Sequence, residues 1–253
     1  MLNKLILGGS YPVRGLLMLN KPGIRRFVIV PLSINTSLFA IGIHFFFGNL
    51  FAFVHWIDGY LPSWLHWLQW LLAPLLVLAV ATTLFFSFSM MTNLIAAPFN
   101  SLLAEQVELQ LTGRYPNSTP FTVATLLTRA VPLLGNELNK IVYSLLWLLP
   151  FLLIYLIPGL NLAAPLLMLL YSAWMLAIQY LDLPMGNRDL SGREVRRRLR
   201  QQRSLAIGFG GMTLLLTTVP IVNFLAMPAA VVGATLLWVE RFAEQEKLLN
   251  GGA

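Results

Sequence analysis

Four stretches of this chain, roughly residues 27–54, 67–97, 141–181 and 204–239, contain no Asp, Glu, Lys or Arg. Each holds about 20 residues or more, enough helix to cross a hydrocarbon core of about 30 Å. Charge segregated this strictly excludes a water-soluble domain, whose elements must each show a polar face. The composition agrees: 57% of residues are hydrophobic, 11% are charged and the mean hydropathy is +0.73. The fold class that follows is an all-α integral membrane protein, since a segment in lipid must satisfy its own backbone polar groups.

The order of charged and apolar segments gives an expected organisation for residues 1–253 as a single membrane domain. Residues 1–26 carry Lys4, Arg14, Lys21, Arg25 and Arg26 with no acid, which places them in the cytoplasm as an N-terminal helix and basic turn. No apolar core leads to a cleavage site there, so no cleaved signal is expected. Residues 27–97 form a long helical hairpin whose two runs are both overlong for a bilayer; the first is roughly 40 Å as a helix. His55 to Trp67, with Asp58 and the aromatics Trp56, Tyr60, Trp64 and Trp67, reads as the outer turn. Residues 98–140 return to the cytoplasmic side, with an amphipathic helix from about Asn100 to Thr112 that presents Glu105 and Glu108 together. Asn117-Ser118-Thr119 is then a chance match to a glycosylation triplet. A first apolar hairpin (141–181), an arginine-rich segment (182–203), a second apolar hairpin (204–239) and a tail (240–253) complete the chain, with both termini cytoplasmic.

The two apolar hairpins have related tips, "LIPGLNLAAP" from Leu156 and "TVPIVNFLAMP" from Thr218. An outer loop should carry charge and interfacial aromatics, and these carry one Asn each. Irregular backbone at membrane depth survives only where protein or a water-filled cavity covers it. Two readings stand: hairpins whose tips stop inside the membrane, packed on the two long helices, or four full spans joined by tight turns. Proline is expected to end the first helix of each pair, and Asn161 and Asn223 to cap the second.

Several classes of chemistry are excluded. Cysteine is absent, which removes disulfides and thiolate–metal sites. His44, His55 and His66 lack acids or serines at useful spacing, so neither metal nor catalysis is expected. No phosphate-binding loop or Ser-His-Asp pattern occurs, so the chain is not expected to be an enzyme, to hydrolyse ATP or to need a cofactor. The net charge of +7 is accounted for by the anionic lipid headgroups an apolar chain meets, and nucleic acid is not expected as a partner.

Three groups of residues remain. In "KPGIRRFVIVP", Lys21 to Pro31, a Pro-Gly turn, Arg25, Arg26 and the start of a long helix coincide. Unpaired N–H groups and two guanidinium forks at one place hold an oxyanion; the same arginines also suit lipid phosphates. In "DLSGREVRRRLRQQRS", Ser191 is the N-cap with Glu194 as its reciprocal partner, and Leu190 with Val195 forms the apolar staple. Arg193, Arg196, Arg197, Arg200 and, more loosely, Arg203 share a face, which suits anionic headgroups, anions near a pore mouth or another subunit. The third group, Asn35, Asn93, Asn100, Glu105, Glu108, Arg129 and Glu137, either lines a translocation path or forms salt bridges between cytoplasmic helices.

In these motifs the chain resembles the CysZ family of bacterial inner-membrane sulfate permeases. The likeness runs through "PGIRRFVIVPLSIN", "APFNSLLAEQVE", the tips "PGLNLAAP" and "PIVNFLAMP", and "YLDLPMGNRDL". It implies sulfate uptake across the inner membrane for assimilation into cysteine, through an all-helical protein with two long transmembrane helices and two partly penetrating hairpins that assembles with copies of itself. It also implies that Gly23, Ile24, Arg25 and Arg26 bind sulfate; the family usually has Leu where this chain has Ile24, a change of little consequence for a backbone contact. The family's polar path is matched less closely, at Asn35, Asn93, Glu105 and Arg129. The function expected is a sulfate channel or facilitator, with sulfate and membrane lipids as partners. The rival from another class is a non-transporting scaffold or partner subunit that docks through the arginine helix.

Overall fold

The computed structural model describes residues 1–59, 66–114, 142–151, 153–157 and 159–243. Every regular element among them is helical: α1 (Leu2–Met18), α2 (Arg26–Asp58), α3 (His66–Thr112), α4 (Val142–Leu156), α5 (Ala164–Gly186), α6 (Gly192–Gln201), α7 (Arg203–Thr218) and α8 (Pro220–Leu237), with a π-helical extension Trp238–Ala243. Arg26–Leu50, Ala164–Gly186 and Pro220–Ala243 are long and apolar enough to cross a membrane, and Pro74–Phe88 and α4 are shorter apolar helices. The all-α membrane class read from the charge-free runs is the class observed. The described residues group into two packing units, Ile29–Phe99 and Met1–Val28 with Asn100–Ala253.

In Ile29–Phe99, α2 and α3 touch through aromatic rings: Phe39 lies 6.3 Å from Phe85 and 6.2 Å from Phe88, and the Phe88 ring fills the space a side chain at Gly42 would need. Among the described residues of this unit, little else is covered. Only 11% of the apolar window in Arg26–Leu50 is buried, and Phe45, Phe47, Leu71, Leu78 and Phe86 are exposed. Apolar surface on that scale is stable against lipid tails and not against water.

The 33 residues of α2 and 47 of α3 correspond to about 50 and 70 Å of helix, so both exceed a bilayer core, as their apolar runs required. The helix expected over 100–112 is present and stops at Thr112, but it continues α3 instead of starting anew. The reason is local. Pro98 removes one backbone hydrogen bond, while the apolar residues on both sides of it are helix-compatible, and membrane helices tolerate an internal proline. Likewise α2 and α3 run into both ends of the outer turn; residues 60–65 of that turn lie outside the described residues.

In the other unit, α1 packs on α7 and α8, and α7 packs on α5. The contacts are backbone to backbone. A Cβ on Gly8 would fall on the Leu205 carbonyl, on Gly208 the Leu5 carbonyl, on Gly15 the Ala229 carbonyl and on Gly210 the Ala173 carbonyl. Small residues let helix backbones approach this closely. On α8, Ala226, Ala229, Ala230 and Ala234 are buried along the same seam. One polar clasp closes it: Arg14 donates to both oxygens of Glu240 at 2.9 and 2.6 Å, and the Tyr11 hydroxyl donates to Glu240 Oε2 at 3.0 Å.

At the hairpin tips the expected caps are not found. Asn161 lies in the short 3₁₀ turn Leu160–Leu162, and α5 starts from Ala163 without a side-chain cap. In the second tip Asn223 is inside α8, whose N-cap is Val219, and Pro220 opens that helix instead of closing α7. Proline explains the difference. It lacks the N–H that a cap would satisfy and its fixed φ suits a first helical turn, where both α5 and α8 carry one. Val219, just before a proline, is accordingly extended at φ −90°, ψ 111°. Leu162 (86% exposed), Ile221 (84%) and Phe224 (72%) then make the tips strongly apolar on their outside.

The start of α6 follows its sequence. Ser191 Oγ accepts from the Glu194 N–H at 3.4 Å, Val195 is buried, and Leu190 packs on the core. The reciprocal half of the box is replaced: Glu194 Oε1 accepts from Arg197 at 2.8 Å and Arg198 at 2.9 Å.

Candidate functional site

The basic turn sits between α1 and α2 and is built around Gly23, whose φ of +86° only glycine adopts freely. A Cβ there would also stand 2.9 Å from Gln110 Nε2, which donates to the Pro22 carbonyl at 2.9 Å and pins the turn to the end of α3. Ile24 is fully buried in the cluster that contains Leu103, Ala104 and Val107, so its side chain anchors the turn from beneath. The Lys21 carbonyl accepts from the N–H groups of Ile24 (3.1 Å) and Arg25 (3.2 Å). Among the described residues, the N–H groups of Gly23 and Arg26 have no protein acceptor.

Arg25 and Arg26 are exposed and neither pairs with a carboxylate among the described residues. Arg26 lies over the Phe27 ring at 4.8 Å. The turn therefore offers two guanidinium forks and two amide donors, with a buried isoleucine and a glutamine holding the backbone that carries them. Such a set can take the oxygens of a small oxyanion without a metal.

The third sequence group is divided between the packing units. In Ile29–Phe99, Asn35 Oδ1 is buried without a hydrogen-bond partner, and Asn93 is on α3, its side chain outside the described residues. In the other unit, Asn100 donates to Met227 Sδ at 3.3 Å and ties α3 to α8. Glu105 is half-buried, whereas Glu108, three residues on, is 1% exposed, so the two carboxylates are not presented together. Glu108 Oε1 accepts from Arg188 Nε at 2.9 Å and also from Nη2. Arg129 and Glu137 lie outside the described residues.

The Glu108 pair belongs to a larger clasp that residue spacing did not disclose. Ser101 Oγ donates to Asn187 Oδ1 at 2.7 Å, and Asn187 Nδ2 returns a bond to the Ser101 carbonyl at 3.0 Å. Arg188 and Arg198 both lie over the Trp238 ring, at 5.9 and 5.6 Å. The end of α3 is thus fixed to the turn after α5, and the partners come from "MGNRDL", whose role could not be read because they stand 80 residues or more away. On α6, the Arg198 guanidinium, seconded by Arg197, holds the Glu194 carboxyl below its usual range against a smaller opposing effect of burial.

With this geometry in hand, comparison with known proteins is direct. Residues 11–228 match the model of the family described as "Sulfate transporter CysZ/Etoposide-induced protein 2.4". A protein named sulfate transporter CysZ from Pseudomonas paraeruginosa is 43% identical over 241 residues, covering 94% of this chain and 96% of that one. A protein of the same name from Pectobacterium atrosepticum is 41% identical over 237 residues, covering 93% of this chain and 85% of its own length. Identity at that level from end to end fixes membership: the chain belongs to the family of sulfate transporter CysZ and etoposide-induced protein 2.4.

Proposed function

We propose that the chain is a sulfate permease, a channel or facilitator that imports sulfate across the bacterial inner membrane for assimilation into cysteine. The observation that carries the reading is its end-to-end similarity to proteins named sulfate transporter CysZ. The basic turn supports it. A divalent anion entering low dielectric must exchange water for donors that bind strongly enough to admit it and weakly enough to release it. In our reading Arg25, Arg26 and the amides of the Gly23–Arg26 turn make the first exchange on the cytoplasmic side, where both termini also lie, and Asn35, with its unmatched carbonyl, is a path residue of its own unit. Glu108 stands outside that path, since its Arg188 pair explains it as a brace.

The exposed apolar surfaces of α2 and the tips fit a protein that meets lipid and further copies of itself. In the second hairpin the 16 residues of α7 give roughly 24 Å, less than a bilayer core, while its partner Pro220–Ala243 is long enough to cross one; in our reading α7 sets the depth of that hairpin. Labelled sulfate flux into liposomes holding only this protein tests the function: flux above empty vesicles is expected, and flux equal to theirs from folded protein would favour a scaffold. Replacing Arg25 and Arg26 together by Ala should cut sulfate binding about tenfold or more, the loss of two charge-assisted contacts, with expression and assembly intact. Unchanged binding would return both arginines to lipid anchoring.

A further inference from the structure

Beside α6 is an open cavity of about 670 Å³ lined by Tyr143, Arg193, Arg196, Arg197, Arg200 and Arg203. It is distinct from the basic turn and shares no residue with it. Its arginines come from one helical face and the first residue of α7, because Val195 and Leu199 are buried on the other side of α6 and leave the guanidiniums to converge. Arg203 Nε donates to the Arg200 carbonyl at 3.2 Å, which ties the two elements together. The Tyr143 wall is held by Trp174, whose Nε1 donates to the Tyr143 hydroxyl at 3.3 Å, and Arg196 stacks over the Tyr143 ring at 4.9 Å.

Most of the charge in this cavity is unanswered among the described residues. Glu194 serves Arg197 and Arg198, and among the described residues Arg193, Arg196, Arg200 and Arg203 pair with no carboxylate. Arg196 Nη1 is moreover buried with no acceptor. Cations gathered this closely repel one another, and a buried donor without a partner costs stability. One ligand relieves both: a group with several acceptor oxygens around one centre, which forks approaching from different directions can share. A carboxylate offers two oxygens in one plane, whereas a sulfate or phosphate group offers oxygens disposed tetrahedrally, which suits forks that arrive from several directions.

We propose that this cavity is a second oxyanion site that takes a tetrahedral sulfate or phosphate group, held by Arg196, Arg200, Arg193 and Arg203 with Tyr143 orienting Arg196. The volume exceeds a bare ion, so the group arrives either free or as the phosphate of a phospholipid headgroup. The inference is independent of the transport reading.

The test uses the full chain. Equilibrium dialysis of lipid-stripped protein against labelled sulfate and inorganic phosphate is the free-anion arm; native mass spectrometry with phosphatidylglycerol against phosphatidylcholine is the headgroup arm. Arg196→Gln with Arg200→Gln should weaken binding about tenfold or more in one of the arms, and the arm affected names the source, while the Arg25→Ala, Arg26→Ala protein retains this site. No change in either arm, or the same loss in both double variants, overturns the proposal. For protein that needs no substitution, phenylglyoxal modification of Arg196 in the wild type should be slowed by phosphate, sulfate or phosphatidylglycerol. Equal protection by chloride at matched ionic strength, or no protection, overturns it as well.

Discussion

The pair Glu108–Arg188 predicts an asymmetry that ordinary contact counting does not. Glu108 is 1% exposed, and both Arg188 donors go to one of its oxygens while the other, Oε2, has no partner. Arg188 is 38% exposed, so water reaches it. Replacing Arg188 by Met keeps an unbranched apolar side chain and strands a buried carboxylate, which should cost about 3 to 5 kcal/mol. Replacing Glu108 by Gln keeps the shape and leaves a guanidinium that solvent already serves, at about 1 to 2 kcal/mol. The double variant removes the stranded charge and should sit near Glu108→Gln, recovering about 2 kcal/mol of the Arg188→Met loss.

Unfolding followed by tryptophan fluorescence in mild detergent reads this out. At about 2 to 4 °C per kcal/mol for a chain of this size, Arg188→Met should fall by about 6 to 20 °C. Glu108→Gln should fall by about half of that or less, and the double variant should be more stable than Arg188→Met alone. Equal losses in the two single variants, or losses that simply add in the double, would refute the reasoning that burial of the carboxylate dominates.

Other consequences are smaller in scope. Gly208→Ala should collapse the yield of folded protein because its methyl would meet the Leu5 carbonyl, whereas Gly211→Ala, with nothing within 4 Å, should be neutral or gain up to about 1 kcal/mol from helix propensity; thermal unfolding of the two proteins side by side checks this. Arg198 and Arg197 lower the folded-state value of Glu194, so its contribution to α6 is present above the unfolded value near 4.5 and is lost as pH falls through the folded one. Glu194→Gln should therefore cost about 0.5 to 1 kcal/mol near pH 7 and nothing in strong acid, by pH-dependent unfolding. Single cysteines at Leu160 and Val222 should resist an impermeant thiol reagent added from outside; free labelling would show that the hairpins reach the far surface.

Much of the architecture was legible because lipid imposes simple rules. Charge-free runs of sufficient length had to become helices, and the two overlong runs became helices longer than a bilayer core. Ser191 and Glu194 marked the start of α6 because a cap acts within a few residues. What was not legible is what depends on distant partners or on competition between two local devices. Asn161 and Asn223 looked like caps, but Pro165 and Pro220 had already supplied the first helical turn. Glu108 gave no sign of Arg188, and the glycines of α1 gave no sign of their counterparts on α7 and α8, since spacing along one helix does not reveal which helix faces it. In the basic turn, Gly23 and the arginines were readable as a unit, while the anchoring by Ile24 and Gln110 was not.

The glycine contacts of α1 also bear on how the molecule moves. Side chains that interdigitate can change rotamer and let two helices slip, but carbonyls seated against bare Cα atoms leave no such slack. Helices α1, α7 and α8 are therefore expected to travel as one rigid block, a chassis and not a gate. Whatever widens and narrows to pass a solute should be sought among looser partners, such as the thinly covered face of α2.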